Sequence, residues 1–264
     1  VIDSKPIGAN VRSTVATYDG VFDDLRKLFA RTADAKAKGL TAGDFSYNTG
    51  KLRCPVCDGT GIITMDVQFL PDVDTICPSC GGSRYGKDAY DILWKSKEKD
   101  SVSVSLPGLL KLTVEEAAGI LHEETKIAKQ LKILQDLGVC YLTLGEATPA
   151  LSGGEAQRLK LAYEMETPQQ GSVFVFDEPT IGLHPQDVKK LVLIFDHLIQ
   201  LGATVIVIEH DLELVTNCDY IIDMGPWGGT EGGRVVVEGT PEAVAATSES
   251  ITGRYLKQEL AEDK

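Results

Sequence analysis

Two acidic side chains and a histidine follow two apolar segments in the second half of the chain. Asp177 and Glu178 come directly after the run Val173–Phe176, and His210 comes two residues after the run Thr204–Ile208. Short apolar runs are typical of strands in a parallel sheet, and the carboxyl ends of such strands face a ligand crevice. Paired carboxylates there suit hydrolysis of a nucleotide, because the first holds Mg²⁺ while the second orients and deprotonates the attacking water. We expect His210 to reach the same phosphate.

A glycine-rich helix start precedes these strands. Residues 151–158 read Leu-Ser-Gly-Gly-Glu-Ala-Gln-Arg, in which Ser152 and Glu155 have the spacing of a capping box. That common motif does not explain Gly153 and Gly154, which are poor helix formers in a first turn. Glycines are useful there if backbone N–H groups must approach a phosphate closely. The stretch therefore predicts a phosphate site.

Each of these features also has an ordinary structural explanation. Acidic strand ends and capped helices are common in proteins that bind no nucleotide, and a lone histidine more often serves packing. Their occurrence together, in this order along the chain, favours a nucleotide hydrolase.

The chain lacks a P-loop, the usual phosphate-cradling loop of ATPases. Residues 81–87 read Gly-x-x-x-x-Gly-Lys, but Asp88 stands where Ser or Thr should ligate the metal, and the segment follows a cysteine pair rather than a strand. The other Gly-Lys pair, at residues 50–51, lacks the preceding glycine. We therefore expect the isolated chain to bind ATP weakly or not at all and to be inactive as an ATPase.

Four of the six cysteines form two Cys-x-x-Cys pairs, separated by 19 residues: Cys54 with Cys57, and Cys77 with Cys80. Each pair directs two thiols to one point, and four thiolates complete the tetrahedral shell of a structural Zn²⁺. Two disulfides or four unrelated thiols are the alternatives. Disulfides need an oxidising compartment, and nothing in the sequence indicates secretion. The spacing therefore predicts a zinc site with a structural role.

Basic side chains flank the cysteine pairs: Lys51, Arg53, Arg84 and Lys87. Such a surface can hold nucleic-acid phosphates, although a solvated charged face fits these residues nearly as well. The net charge of −13 is uneven, because residues 1–111 carry 15 basic and 14 acidic side chains while residues 112–264 carry 11 basic and 25 acidic. The acidity argues against general adhesion to nucleic acid but leaves room for local contact in the first half.

The 264 residues, 43% apolar and 25% charged, have the composition of a folded globular protein. No apolar run reaches the roughly 18 residues of a membrane span, and no signal segment is recognisable. Alternation of strands and helices in the second half predicts an α/β fold with a parallel-sheet core covered on both faces. We place the start of this lobe in residues 1–13, a mixed helical insertion in 14–135 with the zinc module at about 50–90, and the remainder in 136–264.

Periodicity predicts helices around 21–38, 113–137 and 187–201, and strands at about 1–3, 173–176, 204–208, 220–222 and 234–238. Thr240 and Pro241 have the residue types of an N-cap and first position, which predicts a final helix from this point.

Taken together, these motifs resemble a known superfamily. Residues 151–158 look like the signature of the ABC ATPases, residues 173–178 like their Walker B strand, and His210 like their switch histidine. A two-pair zinc module ahead of the signature is similar to the second ATPase half of the UvrA family of excinuclease proteins. Further similar segments extend the resemblance over essentially the whole chain: residues 12–14, 16–18, 69–73, 177–180, 182–184 and 225–229.

The resemblance implies an ABC-type ATPase lobe with a zinc-containing insertion, in a damage-recognition protein of bacterial nucleotide excision repair. It implies that Asp177 binds Mg²⁺, that Glu178 is the general base and that His210 contacts the γ-phosphate of ATP. The P-loop of the family would lie upstream of Val1.

The resemblance also assigns the helix start at Ser152, Gly153 and Gly154 to the γ-phosphate of a nucleotide bound to the opposite ATPase half. Its implied partners are double-stranded DNA, the other ATPase half of the same chain, a second copy in a homodimer and the excinuclease component UvrB. The implied location is cytoplasmic, without membrane contact.

One position departs from the family pattern. Ser4 stands where the family has a glutamine that helps to coordinate Mg²⁺ or water. The departure raises the alternative of a paralogue that serves resistance to DNA-damaging compounds.

Three other protein classes share only parts of the pattern. The zinc repeat of J-proteins fits residues 54–61, but those proteins have four repeats and no strand-end carboxylate pair. The ATPases of transporters share the signature but carry no such zinc insertion. SMC proteins insert a long heptad coiled coil, a repeat that residues 14–135 do not show.

Overall fold

A computed structural model of the protein describes residues 2, 5–8, 10–65, 73–97, 102–165, 170–225 and 233–262. The chain divides into two compact units, which are here named the N-terminal unit (Ser4–Pro168) and the C-terminal unit (Val1–Asp3 with Gln169–Lys264). These boundaries differ from the functional division at residues 13 and 135, which stays a prediction.

Helices dominate the N-terminal unit: α1 (Val15–Tyr18), α2 (Val21–Ala30), α3 (Ala33–Ala37), α4 (Leu106–Leu109), α5 (Val114–Ile120), α6 (Thr125–Asp136) and α7 (Gly153–Glu164). The helical patterns predicted around 21–38 and 113–137 are confirmed as α2 with α3 and α5 with α6. Leu25 and Phe29 of α2 and Leu131 of α6 are fully buried. Because α2 packs against α6, the apolar stripes of these helices form part of one core.

Two antiparallel hairpins also belong to the described part of the N-terminal unit. β1 (Ile62–Met65) pairs with β2 (Val73–Ile76), and β3 (Leu93–Lys95) pairs with β4 (Ser103–Ser105). The first hairpin connects the two cysteine pairs. Its register, with Ile62 opposite Ile76, therefore sets how closely the two pairs approach each other.

A parallel strand pair lies at the centre of the C-terminal unit. β5 (Val173–Asp177) runs parallel to β6 (Thr204–Ile208), and α8 (Pro185–Gln200) connects them. Ile2 forms a parallel bridge to Phe176 on the other edge of β5. Both strands and the helix that joins them were predicted from the sequence and are confirmed.

One face of this strand pair is covered and the other is exposed. On the covered face, the ring of Phe176 lies 4.7 Å from the ring of Phe195 on α8. On the opposite face, Val173, Ile206 and Ile208 are 58%, 49% and 56% exposed. The prediction of a sheet covered on both faces is therefore wrong for the described chain. Because parallel sheets normally bury both faces, this apolar side is a surface that another element would cover.

An antiparallel hairpin and three helices make up much of the remaining C-terminal unit. β7 (Ile221–Gly225) pairs with β8 (Arg234–Gly239), which confirms the two strands predicted there. The helices are α9 (Leu212–Thr216), α10 (Pro241–Ala245) and α11 (Ile251–Glu262). Within the residues that the structure describes, no helix has the length and hydrophobicity of a membrane span.

The helix predicted to begin at Thr240 and Pro241 is α10. The Thr240 side chain accepts a hydrogen bond from the backbone N–H of Ala243, as an N-cap does. The expectation that this is the final helix is wrong, because α10 ends at Ala245 and α11 follows it.

Gly253 allows α11 to approach α10 closely. A Cβ at this position would lie 2.2 Å from the carbonyl oxygen of Val244 and 3.0 Å from Ser250 Oγ. The same Ser250 hydroxyl accepts a hydrogen bond from the N–H of Gly253 at 2.7 Å and donates to Asp223 Oδ2 at 2.6 Å. The contact between the two helices therefore requires a residue without a side chain.

We predict that Gly253→Ala lowers the free energy of unfolding by about 1–3 kcal/mol, because the added methyl group must displace packed backbone. The matched control is Gly119→Ala in α5, where a Cβ would meet nothing within 4 Å. We expect the control to stabilise the chain by up to about 1 kcal/mol, since alanine is the better helix former. Urea unfolding followed by circular dichroism measures both changes, and equal stability of the two variants would contradict the packing argument.

Candidate nucleotide and metal sites

The four paired cysteines meet at one point in the N-terminal unit. All four sulfur atoms lie within 4.8 Å of one another, with 4.0 Å between Cys54 and Cys77 and 3.7 Å between Cys57 and Cys80. Four sulfurs bound tetrahedrally at about 2.3 Å from Zn²⁺ would lie about 3.8 Å apart, so the spacing fits this ion. All four cysteines are free thiols, which favours a shared metal ion over two disulfides.

Reciprocal backbone hydrogen bonds hold the two cysteine pairs together. The N–H of Cys54 donates to the carbonyl oxygen of Arg84 at 2.9 Å, and the N–H of Cys77 donates to the carbonyl oxygen of Gly61 at 3.0 Å. Each pair is thus attached to the segment that follows the other pair. The geometry of the four sulfurs consequently depends on both turns being folded.

The thiols of the cluster differ in acidity. Burial would raise the pKa of Cys54, but the backbone N–H groups of Cys57 and Val56 point at its sulfur and lower this pKa to about 7. Burial raises the pKa of Cys80 to about 12. Only thiolates bind the metal, so metal binding would displace protons from thiols of the cluster.

Arg84 packs inside the N-terminal unit beside the cysteine cluster. It is 7% exposed, its guanidinium lies 5.1 Å from the centre of the Tyr47 ring, and it donates a hydrogen bond to the carbonyl oxygen of Val11 at 2.9 Å. Arg84 is thus enclosed within the N-terminal unit, and its contact with DNA stays a prediction. The backbone of Gly59 also packs closely against Tyr47, because a Cβ at Gly59 would lie 1.8 Å from the carbonyl oxygen of Tyr47.

The other predicted basic residues lie nearer the surface. Lys51 is exposed and forms an ion pair with Asp44 at 3.5 Å. Arg53 Nε lies 2.7 Å from a carboxylate oxygen of Asp58, the residue that follows the first cysteine pair. Lys87 is exposed at the start of a short 3-10 helix. Contact of DNA with Lys51, Arg53 and Lys87 stays a prediction.

The carboxylates predicted for nucleotide chemistry lie at the end of β5. Asp177 is the last residue of the strand, and Glu178 follows it with a φ of 46°, a left-handed conformation that is uncommon for a residue with a side chain. The N–H of Glu178 donates to the carbonyl oxygen of Ile208 at 2.9 Å, which ties this turn to the end of β6. His210 Nδ1 lies 3.8 Å from Glu178 Oε1. The structure thus brings Glu178 and His210 together at adjacent strand ends.

Glu209 is a functional candidate to which the sequence patterns assigned no role. Its side chain is 1% exposed. One carboxylate oxygen accepts hydrogen bonds from the N–H of Thr180 at 3.0 Å and from the Thr180 hydroxyl. The other accepts from the N–H groups of His210 at 2.6 Å and Asp211 at 3.2 Å. Burial would raise the pKa of Glu209, but these hydrogen bonds hold it below its ordinary value.

A signal for Glu209 does exist in the sequence. It is an acidic residue that ends an apolar strand one position before the candidate histidine. Such a position is expected to face a crevice or to be buried, and a buried carboxylate must find hydrogen-bond donors. The sequence around Glu209 does not reveal that two of these donors belong to Thr180, in the loop after β5.

The glycine-rich helix start is formed in the N-terminal unit. Ser152 caps α7: its hydroxyl accepts from the N–H of Glu155 at 3.4 Å, and its own N–H donates to Glu155 Oε2 at 2.7 Å. This confirms the predicted capping box. The Tyr141 hydroxyl donates to the other oxygen of Glu155 at 2.7 Å and so fixes the carboxylate that closes the box. Gly153 and Gly154 form the first turn without side chains.

The candidate residues fall into three separate groups. The cysteine cluster and the α7 helix start belong to the N-terminal unit, whereas Asp177, Glu178 and His210 belong to the C-terminal unit. Three sequence features lie outside the described residues: Ser4 and the family-like segments at 69–72 and 226–229.

No protein-family model matches the chain. UvrABC system protein A of Staphylococcus aureus (strain COL) is 45% identical over 264 residues, which are 100% of this chain and 27% of that protein. The protein of the same name from Bacillus subtilis (strain 168) is 44% identical over the same span and is likewise covered to 27%. The crystal structure of UvrA2 from Deinococcus radiodurans matches with a TM-score of 0.85 and 42% identity, covering 97% of this chain and 31% of that chain.

The chain matches a fragment of UvrA. The resemblance to the UvrA family that the motifs indicate is therefore confirmed, and the chain shares its α/β fold with UvrA2. It spans about a quarter of the length of the curated UvrA relatives.

From the cysteine geometry we predict that Cys77→Ser abolishes metal binding and destabilises the N-terminal unit by several kcal/mol, since a structural zinc contributes its binding energy to folding. Cys140→Ser is the matched control, because Cys140 is a free thiol outside the cluster. Elemental analysis of the purified protein and thermal unfolding measure the two effects. Equal zinc content in wild type and Cys77→Ser would rule out the four-thiolate site.

Proposed function

We propose that the chain is part of an ATP-dependent DNA-damage recognition protein of nucleotide excision repair, in which it supplies much of one ATPase half. The observation that carries the proposal is the 45% identity to UvrABC system protein A over all 264 residues. The contact between Glu178 and His210 at the ends of two parallel strands supports the ATPase assignment. The comparisons do not favour a transporter ATPase or a J-protein module, because the match to UvrA covers the whole chain.

At the nucleotide site, Glu178 acts as the general base, and His210 contacts the γ-phosphate. Asp177 holds Mg²⁺, an ion that prefers carboxylate and phosphate oxygens. Bound MgATP supplies the phosphoanhydride bond and a metal that neutralises developing charge. Glu178 accepts a proton from the attacking water, and His210 orients the phosphate from the adjacent strand end. Their 3.8 Å separation is compatible with both side chains reaching the same phosphate.

The helix start at Ser152, Gly153 and Gly154 contacts the γ-phosphate of a nucleotide bound to the opposite ATPase half. The capping box satisfies one donor of the first turn through the Ser152 hydroxyl. Other N–H groups of that turn have no intrahelical partner, which makes the helix start a suitable anion site.

The rest of the full-length protein completes the ATPase half. The exposed apolar face of β5 and β6, with Val173, Ile206 and Ile208, supports this part of the proposal. Parallel sheets are normally covered on both sides, so an additional element packs here. The P-loop that this chain lacks belongs to the same additional part, and the isolated chain is inactive as an ATPase.

The cysteine cluster holds a structural Zn²⁺. Four protein ligands close the coordination shell, which leaves no position for a substrate. The ion fixes the first hairpin and the exposed basic residues near it. Lys51, Arg53 and Lys87 contact the phosphates of double-stranded DNA in the full-length protein, which acts as a homodimer together with the excinuclease component UvrB.

In the full-length protein, Glu178→Gln is expected to retain ATP binding and to lose at least about 100-fold of the turnover at this site, because the amide keeps the shape but does not accept the proton. The rate is measured with the other ATPase half inactivated by the equivalent substitution. Glu238→Gln, on the exposed side of β8, is the control and should leave the rate unchanged. Undiminished hydrolysis in Glu178→Gln would contradict the assigned role.

Reversing the charge of Lys51 or Lys87 is expected to weaken binding of double-stranded DNA about tenfold and to reduce the salt slope of binding by about 1 for each phosphate that is no longer neutralised. Lys132→Glu is the control, because Lys132 is an exposed lysine of α6 that pairs with Asp136. Fluorescence anisotropy over a series of salt concentrations gives affinity and slope. If neither quantity changes, the basic residues near the zinc do not contact DNA.

A further inference from the structure

Glu209 joins the two chain segments that carry the proposed catalytic residues. Its first oxygen binds the segment after β5 through Thr180, and its second binds the segment after β6 through His210 and Asp211. We propose that Glu209 is a positioning residue for ATP hydrolysis, which holds these two segments at the spacing that Glu178 and His210 require. This inference rests on the proposed function.

Four hydrogen-bond donors reach the carboxylate of Glu209, and the Nδ1 atom of His210 lies 3.4 Å from its Oε2 atom. An ionised carboxylate has about four acceptor positions, and four donors from Thr180, His210 and Asp211 occupy them. The side chain is 1% exposed, so water molecules do not supply these hydrogen bonds. Burial of a carboxylate is unfavourable unless it is fully hydrogen-bonded, and an apolar residue in its place would leave these four donors without an acceptor. The carboxylate of Glu209 therefore serves to hold these donors in place.

The donors of Glu209 all belong to residues at one cavity. Thr180, His210 and Asp211 line a cavity of about 400 Å³ in the C-terminal unit. Glu209 thus lies behind the cavity and fixes part of its wall by hydrogen bonds, although it does not itself face a ligand. A residue that acts on the site through three lining residues positions the site rather than taking part in the chemistry.

The distance between the catalytic side chains depends on this link. Glu178 and His210 both lie on loops beyond the strand ends, where the ladder between β5 and β6 no longer holds the backbone. Beyond the ladder, the N–H of Glu178 binds Ile208, and Glu209 fixes Thr180 on one side and the backbone of His210 on the other. A displacement of about 1 Å between reacting groups is enough to lower a rate about 100-fold.

Glutamine is the informative replacement at position 209. It has nearly the same shape, but its amide group presents N–H donors where two N–H or O–H donors already point. Glu209→Gln therefore breaks the link to one of the two segments and keeps the packing. Thr180→Val removes only the hydroxyl donor of the first segment, whereas Thr180→Ser retains it.

The experiment uses the full-length protein with its other ATPase half inactivated. We expect Glu209→Gln to lower kcat at least about tenfold while the KM for ATP changes by less than about twofold, because the residues that bind the nucleotide remain. Thr180→Val should lower kcat, Thr180→Ser should restore it, and the double variant with Glu209→Gln should lose less than the product of the single effects.

The outcomes separate this inference from the proposed function. If Glu178→Gln abolishes turnover while Glu209→Gln leaves kcat unchanged, the positioning role is overturned and the ATPase assignment stands. If Glu178→Gln leaves turnover unchanged, the proposed function fails and the inference fails with it. Should Glu209→Gln not fold, the Thr180 pair decides: equal kcat in Thr180→Val and Thr180→Ser would overturn the inference.

Discussion

The parallel pairing of β5 and β6 is the interaction on which the candidate nucleotide site depends. In this register Asp177 lies opposite Ile208, so the residues that follow the two strands emerge at the same edge of the pair. The left-handed turn at Glu178 and its hydrogen bond to Ile208 extend the pairing by one step. The carboxylate of Glu178 and the ring of His210 become neighbours only because of this register. A shift of one strand by one residue would turn the side chains of that strand to the opposite face, and the residues that follow the two strands would no longer emerge as neighbours.

A second constraint acts in the N-terminal unit, where four thiols and a few backbone hydrogen bonds hold a segment with little apolar core of its own. The reciprocal contacts of Cys54 with Arg84 and of Cys77 with Gly61 attach each turn to the segment that follows the other. The guanidinium of Arg84 packs against the ring of Tyr47 inside the same unit. Of the four predicted basic residues, Arg84 is the one that packs inside the unit.

Local patterns predicted those parts of the structure that short stretches of chain determine. The Cys-x-x-Cys spacing, the capping box at Ser152 and Glu155, and the apolar strands at 173–176 and 204–208 all depend on residues a few positions apart. The features that local patterns did not predict are contacts between residues distant in sequence. Arg84 is buried by Tyr47, which lies 37 positions away, and Glu209 binds Thr180 across 29 positions. The sequence patterns also did not predict the exposed face of β5 and β6, because an apolar strand has the same composition whether or not another element packs on it.

We propose that the ends of β5 and β6 face the γ-phosphate of ATP. The most direct measurement is a structure of the full-length protein with Mg²⁺ and a non-hydrolysable ATP analogue. We predict a γ-phosphate oxygen at about 3 Å from a ring nitrogen of His210, with the Glu178 carboxylate directed at the same phosphate. An analogue bound away from these strand ends, with its γ-phosphate in contact with neither side chain, would contradict the account.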